Sequence, residues 1–372
     1  IMKYFQHKPL LHKFSHVDEF LKEFSLTKED FILASRSTWK RWFAPFEVSA
    51  AVHFKDEYGR GEPTDSMIDG LRADFLASGC TRIFAIGGGA VIDMAKILVL
   101  DGTASASDYY QRKVPLSKAH TLVAVPTTCG SGSEASNVSI AEITSLGTKL
   151  GLADDTIYAD DAVLIPELLS DLPYEFFASS AIDALIHAME SFVSPRANLY
   201  TRMFSTQAIR MIISGFLQME AEGPEVRLQL LDEFLTASNM AGIAFGNAGT
   251  GAVHAMSYPL SGVYHVTHGE ANYQFLVAVF RAYSEAAPGG VLTELEQITA
   301  DALGCAKENL YPRLEELLSR MIPRKALHEY GMKEEEIRTF AESVQATQGR
   351  LLGQSYVRFD TEKMMKIYQD LY

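Results

Sequence analysis

Three cysteines among 372 residues (Cys80, Cys129 and Cys305) are too few and too scattered for a disulfide framework or a CxxC zinc site, and they fit a reducing cytoplasm. No apolar run approaches the length of a membrane span. The start, IMKYFQHKPLLHKF, carries charges where a secretory signal has an apolar stretch, so no signal peptide is expected, and Ile1 ahead of Met2 reads as an added residue. Positive charge is in deficit as well. Lys and Arg number 33 against 47 Asp and Glu, a net charge of −14, which argues against nucleic acid and anionic membrane as partners. An anionic small molecule stays open, provided local cations or a metal receive it. Two common phosphate signatures are missing, the GxGxxG fingerprint and the P-loop. Internal repeats and low-complexity tracts are absent too.

What remains is an ordinary globular composition, 47% hydrophobic and 22% charged, with length enough for two domains. In the first part, short apolar runs alternate with amphipathic segments. FILAS (31–35), RIFAIGG (82–88) and TLVAVPTT (121–128) read as buried parallel strands; SHVDEFLKEF and TDSMIDGLRADFLASG read as helices. Such alternation predicts βαβ units and a doubly wound sheet. Near DLPYEFF the pattern changes. Helical periodicity then predicts helices over 174–194, 199–220, 224–258, 271–287, 292–305, 309–321, 334–352 and 361–370. The expected fold is an α/β domain over 1–170 followed by an all-α domain over 171–372. The cleft between two such halves is the default place for a ligand.

In the segment SSAIDALIHAMESFVSP, Ser180, Asp183, His187, Glu190 and Ser194 form one narrow polar stripe on a helical wheel, with Ile182, Leu185, Ile186, Met189, Phe192 and Val193 around the rest. Buried charge needs a partner, and a metal ion is one. The dyad alone is equally an ordinary Asp–His pair. Downstream, His254 follows a run interrupted by Gly242, Gly246, Gly249 and Gly251, where glycine marks close approach of backbone or ligand. His268 precedes Gly269 and Glu270. Three imidazoles and one carboxylate suit a borderline divalent ion such as Fe²⁺ or Zn²⁺. Together Asp183, His187, His254 and His268 favour a metal site.

Strand RIFAI runs into Gly87-Gly88-Gly89-Ala90 and then the helical VIDMAKILVL. Glycines there admit a phosphate to the backbone, and a helix N-terminus offers free N–H groups. A bare tight turn is the alternative. PTTCGSGSE (126–134), after strand TLVAV, adds hydroxyls and two more glycines at a second strand end. Two such loops at the carboxyl ends of strands form the crevice where open α/β sheets bind ligands.

The ordered set GGGAVIDMAK, PTTCGSGSE, Asp-x3-His and His-x13-His-Gly resembles the iron-containing (group III) alcohol dehydrogenase family, across essentially the whole chain. TSLGTKLGLADDTIYADDAVLIPELL, GNAGTGAVHAMSYPLSGVYHVTHGEANY and LHEYGMKEEEI are similar to the branch of it that oxidises 4-hydroxybutyrate. The resemblance implies a Rossmann-like domain plus a helical domain, the fold shared with dehydroquinate synthase, assembled as a dimer or larger. It implies NAD, with NADP as the alternative, and Fe²⁺, with Zn²⁺ as the alternative. Asp183, His187, His254 and His268 would hold the metal. Gly87, Gly88, Gly89 and Ala90 would bind the pyrophosphate, braced by Asp93. Thr127, Thr128 and Cys129 would line the nicotinamide and its ribose, and Lys149 would reach a cofactor ribose. Two departures stand out. Tyr258 occupies the place of a further His found in many members, so Tyr258 or His265 would relay the proton. Arg36 stands where the family often has an acid at the adenosine ribose; Arg accepts a 2′-phosphate that an acid rejects. Tyr264, with Tyr258 and His265, is a candidate for the substrate carboxylate by position. The rival readings are a generic primary-alcohol dehydrogenase or lactaldehyde reductase, a dehydroquinate synthase-like lyase, and a non-enzymatic metal-binding protein.

Overall fold

The computed structural model describes residues 3–372; Ile1 and Met2, and with them the reading of Ile1 as an added residue, lie outside it. The chain divides into two compact units. One is His7–Leu172; the other is Pro173–Tyr372 together with the N-terminal residues up to Gln6. The expected division placed those first residues in the α/β part. Their backbone explains the difference: Gln6 exchanges hydrogen bonds with the Asn247 amide, both at 2.8 Å, and the Phe5 ring stacks on Tyr200 and Phe204.

The α/β unit is built on six parallel strands: β1 (Leu10–Lys13), β2 (Asp30–Ala34), β3 (Ala51–Phe54), β4 (Arg82–Gly87), β5 (Thr121–Pro126) and, after a hairpin, β8 (Asp161–Leu164). They lie in the order β1-β8-β5-β4-β2-β3. The chain goes outward from β2 to β3, then crosses back to β4 on the other side of β2. That reversal is a topological switch point, and ligands of open α/β sheets bind outside the strand ends there. Strands β2 and β4 are apolar without alternation because helices cover both faces of such a sheet. Helices α1 (Val17–Phe24), α2 (Asp65–Ser78) and α3 (Gly89–Leu98) belong to this unit. Phe31, Leu33, Ile83, Ala85, Ile92 and Phe75 are among its fully buried core residues. Helix α2 starts where the Thr64 hydroxyl accepts the Met67 N–H at 3.2 Å. Thr64→Ala should destabilise the protein by about 1 kcal/mol, read as a lower denaturant midpoint at unchanged m-value; an unchanged midpoint would count against the cap.

The antiparallel hairpin β6 (Val138–Ile143) and β7 (Thr148–Ala153) was not anticipated. It is tied to α3 by Lys96, a fully buried ammonium that donates to the Val138 carbonyl at 2.6 Å. Burial lowers the Lys96 pKa to about 8.

The second unit is helical: α4 (Tyr174–Val193), α5 (Leu199–Glu222), α6 (Leu231–Ala248), α7 (Ala252–Tyr264), α8 (His268–Ala286), α9 (Gly290–Leu303), α10 (Leu310–Met321), α11 (Glu336–Thr347) and α12 (Thr361–Leu371). The single helix expected over 224–258 is broken into a 3₁₀ turn at Pro224–Gln229, α6 and α7. Gly249, at φ 82°, makes the second break; a Cβ there would strike the Gln354 side-chain amide. The helix expected over 334–352 likewise divides into α11 and a short helix, Gly349–Gly353. Helix α4 is long and apolar enough by composition to cross a membrane, yet 89% of that stretch is buried inside the fold. It packs on α5, α6 and α8.

Candidate metal centre

Asp183 and His187 stand one turn apart on α4, His254 on the first turn of α7, and His268 at the first residue of α8. One ligand atom from each lies within 4.8 Å of all the others. His187 Nε2 is 4.0 Å and His268 Nε2 3.8 Å from Asp183 Oδ2, while His254 Nε2 is 3.7 Å from Asp183 Oδ1 and 3.0 Å from His187 Nε2. An ion bonded at about 2.0–2.2 Å holds its donors roughly 3–4 Å apart, so these separations and this donor chemistry fit a divalent cation. Asp183, His187 and His254 are buried; His268 keeps a partly exposed side.

Glycine brings the helices together. A Cβ on Gly269 would sit 2.5 Å from the Ser179 carbonyl oxygen, so only glycine lets the first turn of α8 close on α4 and carry His268 to Asp183. His187 stacks on Phe245 with ring centroids 4.4 Å apart. Burial pushes the Asp183 carboxyl up, but His187, His268 and His254 and a hydrogen bond from Asn272 outweigh it and leave its pKa lowered. For His254, burial lowers the pKa, and the hydrogen bond and charge of Glu190 with the charge of Asp183 raise it more; the charge of Arg350 opposes them.

Four residues of this neighbourhood were not assigned a role from sequence. Glu190 accepts from His254 Nδ1 at 2.6 Å. Asn272 donates to Asp183 Oδ1 at 2.8 Å, and its own oxygen accepts from the Ser257 hydroxyl. Arg350, whose charge reaches His254, is exposed on the short helix that packs on α7. Glu190 was visible in the polar stripe; the others carry no local signal.

Tyr258 is buried beside His268, ring centroids 6.5 Å apart. His265 is exposed, caps α7 in a left-handed conformation at φ 55° and lies outside the cluster of four. Tyr264 hydrogen-bonds Glu336 and packs toward Phe340, which accounts for it as a packing residue.

In the α/β unit the two glycine loops face each other. Gly88 caps α3, and a Cβ on it would come within 3.2 Å of Thr128 Cγ2; one on Gly89 would strike Ser131 at 2.7 Å. A Cβ on Gly87 would meet Ser35 Oγ at 2.8 Å, which puts the end of β2 beside this turn. The Gly87 carbonyl accepts the Thr127 N–H at 3.1 Å. Ala90 lies in the first turn of α3, partly buried. Asp93 accepts from Ser133 Oγ at 2.5 Å and from the Ile140 N–H at 2.9 Å, locking α3 to the second loop and to β6. Thr127 and Cys129 are buried, and burial pushes the Cys129 thiol up to about 12, so it is no nucleophile. Lys149 is nearly buried on β7, its Nζ 4.0 Å from Glu62. Arg36 is already engaged: its guanidinium donates to Asp56 at 2.8–3.1 Å and to Glu57 at 3.0 Å.

Comparison with known proteins agrees with this geometry. The "Iron-containing alcohol dehydrogenase" family pattern matches residues 10–166, and "Fe-containing alcohol dehydrogenase family, C-terminal" matches 177–372. The chain is 47% identical to 4-hydroxybutyrate dehydrogenase of Clostridium kluyveri, over 100% of both proteins. It is 28% identical to an NAD-dependent methanol dehydrogenase of Bacillus methanolicus, over 76% of this chain and 75% of that one. Among solved structures, sulfoacetaldehyde reductase from Bifidobacterium kashiwanohense in complex with NAD⁺ superposes with a TM-score of 0.84 at 21% identity, covering 100% and 99% of the two chains. The chain belongs to the iron-containing alcohol dehydrogenase family.

Proposed function

We propose that this protein is a metal-dependent, NAD-linked alcohol dehydrogenase that interconverts 4-hydroxybutyrate and succinate semialdehyde. The convergence of Asp183, His187, His254 and His268 carries the metal part of this reading, and full-length likeness to a 4-hydroxybutyrate dehydrogenase supports the substrate. Those four residues would hold Fe²⁺, with Zn²⁺ the alternative, in a helical metal domain from about residue 171 onward. When bound, the ion supplies Lewis acidity toward the alcohol or carbonyl oxygen, and NAD supplies the hydride acceptor.

The protein's own groups do the rest. Gly87 to Ala90, at the N-terminus of α3, offer backbone N–H groups to the pyrophosphate. Asp93 holds that turn against the second loop, where Thr127 and Thr128 would line the nicotinamide and its ribose with Cys129 behind them, and Lys149 would reach a cofactor ribose. Engagement of Arg36 by two carboxylates supports NAD over NADP. Tyr258, whose ring centroid lies 6.5 Å from that of His268, would pass the hydroxyl proton onward. Per alcohol oxidised, NAD would take up one hydride from the carbinol carbon and one proton would leave to solvent. We take the enzyme to act in the cytoplasm as a homo-oligomer, without nucleic-acid or membrane partners.

A carboxylate at the far end of the substrate needs a cation or donors. Of the candidates by position, Tyr258 is the one whose ring lies near His268, whereas Tyr264 is held by Glu336 and His265 is outside the cluster of four. The test is kcat/KM with NAD for 4-hydroxybutyrate against 1-butanol. Wild type should strongly favour the acid, since donors left unpaired by butanol are penalised. A wild-type ratio near one would remove the substrate assignment and leave the metal alcohol dehydrogenase reading standing.

A further inference from the structure

Glu190 is the third acidic or imidazole group of the α4 stripe, a further three positions beyond His187, and its side chain is essentially inaccessible at 1% exposure. A carboxylate only accepts hydrogen bonds. Both of its oxygens are used: Oε1 takes the Val253 backbone N–H at 2.7 Å, and Oε2 faces His254 Nδ1 at 2.6 Å. His254 Nδ1 must therefore carry the proton. Its Nε2, on the other side of the ring, faces His187 Nε2 at 3.0 Å and Asp183 Oδ1 at 3.7 Å. The Val253 N–H belongs to the first turn of α7, where no intrahelical partner exists for it. One carboxylate thus holds both the backbone and the ring that lead to the cluster. Room for it depends on Gly251, whose absent Cβ would lie 3.2 Å from Glu190 Oε1.

We propose that Glu190 is a positioning residue that fixes His254 in the Nδ1-protonated form and aims Nε2 at the bound ion. This rests on the metal-dependent reading above. The chemistry gives a sharp consequence for Glu190→Gln, which keeps the shape. A glutamine has one accepting oxygen and one donating NH₂ at that end, and it faces two N–H groups. The Val253 N–H cannot move its proton; the imidazole can. The introduced amide would then give its oxygen to Val253 and its NH₂ to His254 Nδ1, driving the ring proton onto Nε2, the atom the ion requires. A residue that merely filled space would tolerate this change.

The experiment is a chelator-competition titration with Co²⁺ as probe, reading the visible d–d absorption, on wild type, Glu190→Gln and Glu190→Asp. Wild type should bind one Co²⁺. Glu190→Gln should bind about 10–100-fold more weakly, the usual loss when a ligand's hydrogen-bonding partner is removed, with the melting temperature of the metal-free protein unchanged. Glu190→Asp, which keeps an acceptor-only end, should recover part of the affinity. Co²⁺ affinity of Glu190→Gln within twofold of wild type overturns the proposal, as does a Glu190→Asp that binds no better than Glu190→Gln. A third reading needs no variant: ¹⁵N histidine NMR of zinc-loaded wild type should show a slowly exchanging proton on His254 Nδ1, and a rapidly exchanging one overturns the proposal even if Glu190→Gln does not fold. Failure of wild type to bind Co²⁺ at all strikes the metal reading itself, whereas tight wild-type binding matched by Glu190→Gln strikes only the role of Glu190.

Discussion

Protein dialysed against a chelator is expected to reduce no NAD with 4-hydroxybutyrate, and Fe²⁺ or Zn²⁺ is expected to restore it. Lewis-acid stabilisation is worth several kcal/mol, and each 1.36 kcal/mol is tenfold in rate, so the loss should be ~10³-fold or more. His254→Ala and His268→Ala should lose activity to the same extent, because each removes one of four donors. Their effects on stability should differ. His254→Ala leaves the Glu190 carboxylate buried with one oxygen unpartnered, at about 1–3 kcal/mol, whereas the His268 side chain is 30% exposed and water can replace it. The pair of variants thus separates loss of chemistry from loss of fold. Undiminished turnover by metal-free wild type would sink the metal mechanism.

The second large effect is expected at Gly88. Its backbone, φ −71° and ψ −176°, is open to any residue, so glycine is not there for its conformation. It is there for space: a Cβ would come within 3.2 Å of Thr128 Cγ2, and a valine would fill the gap between the two loops. A pyrophosphate approaching that helix end would lose its contacts with at least one or two N–H groups, each charged hydrogen bond being worth about 1.5–3 kcal/mol. Gly88→Val should raise the NAD dissociation constant by ~10²-fold or more, measured by fluorescence titration, with near-wild-type circular dichroism. Gly87→Val is the less informative variant, since its Cβ would clash with Val91 at 2.5 Å whether or not a nucleotide binds. Unchanged NAD affinity in Gly88→Val would mean that the three glycines serve only the turn.

The parts of this protein that were readable from sequence are those where period and composition act locally. Buried strands β2, β4 and β5 announced themselves as short apolar runs. The stripe on α4 was a local property of one helix. Edge strands β1 and β3, with exposed or half-exposed patterns, lacked any such run, and β8 is only four residues long. The break at Gly249 was hidden because Gly242 and Gly246 in the same stretch continue as helix, and the positive φ that sets Gly249 apart arises only in the fold. Arg36 shows the same limit of a local reading. Its local setting offers a free cation at a strand end, and the two carboxylates that occupy it come from the end of the neighbouring strand, twenty positions on. Asn272 and Arg350 have no meaning until α8 and the Gly349–Gly353 helix are packed.

All four donors lie on α4, α7 and α8, and none lies within His7–Leu172. The unfolded chain has no such constellation, so an ion held by these residues, as proposed, would be a ligand of the native helical unit. Mass action would then add to that unit's stability in proportion to the logarithm of free metal, about 4 kcal/mol at a thousandfold excess over the dissociation constant. That is comparable with a large fraction of a domain's whole margin against unfolding, about 5–15 kcal/mol. On the proposed metal reading, metal supply would then set the lifetime of the protein as well as its turnover: starvation for the ion would thin the pool of folded enzyme through proteolysis, and repletion would slow that loss.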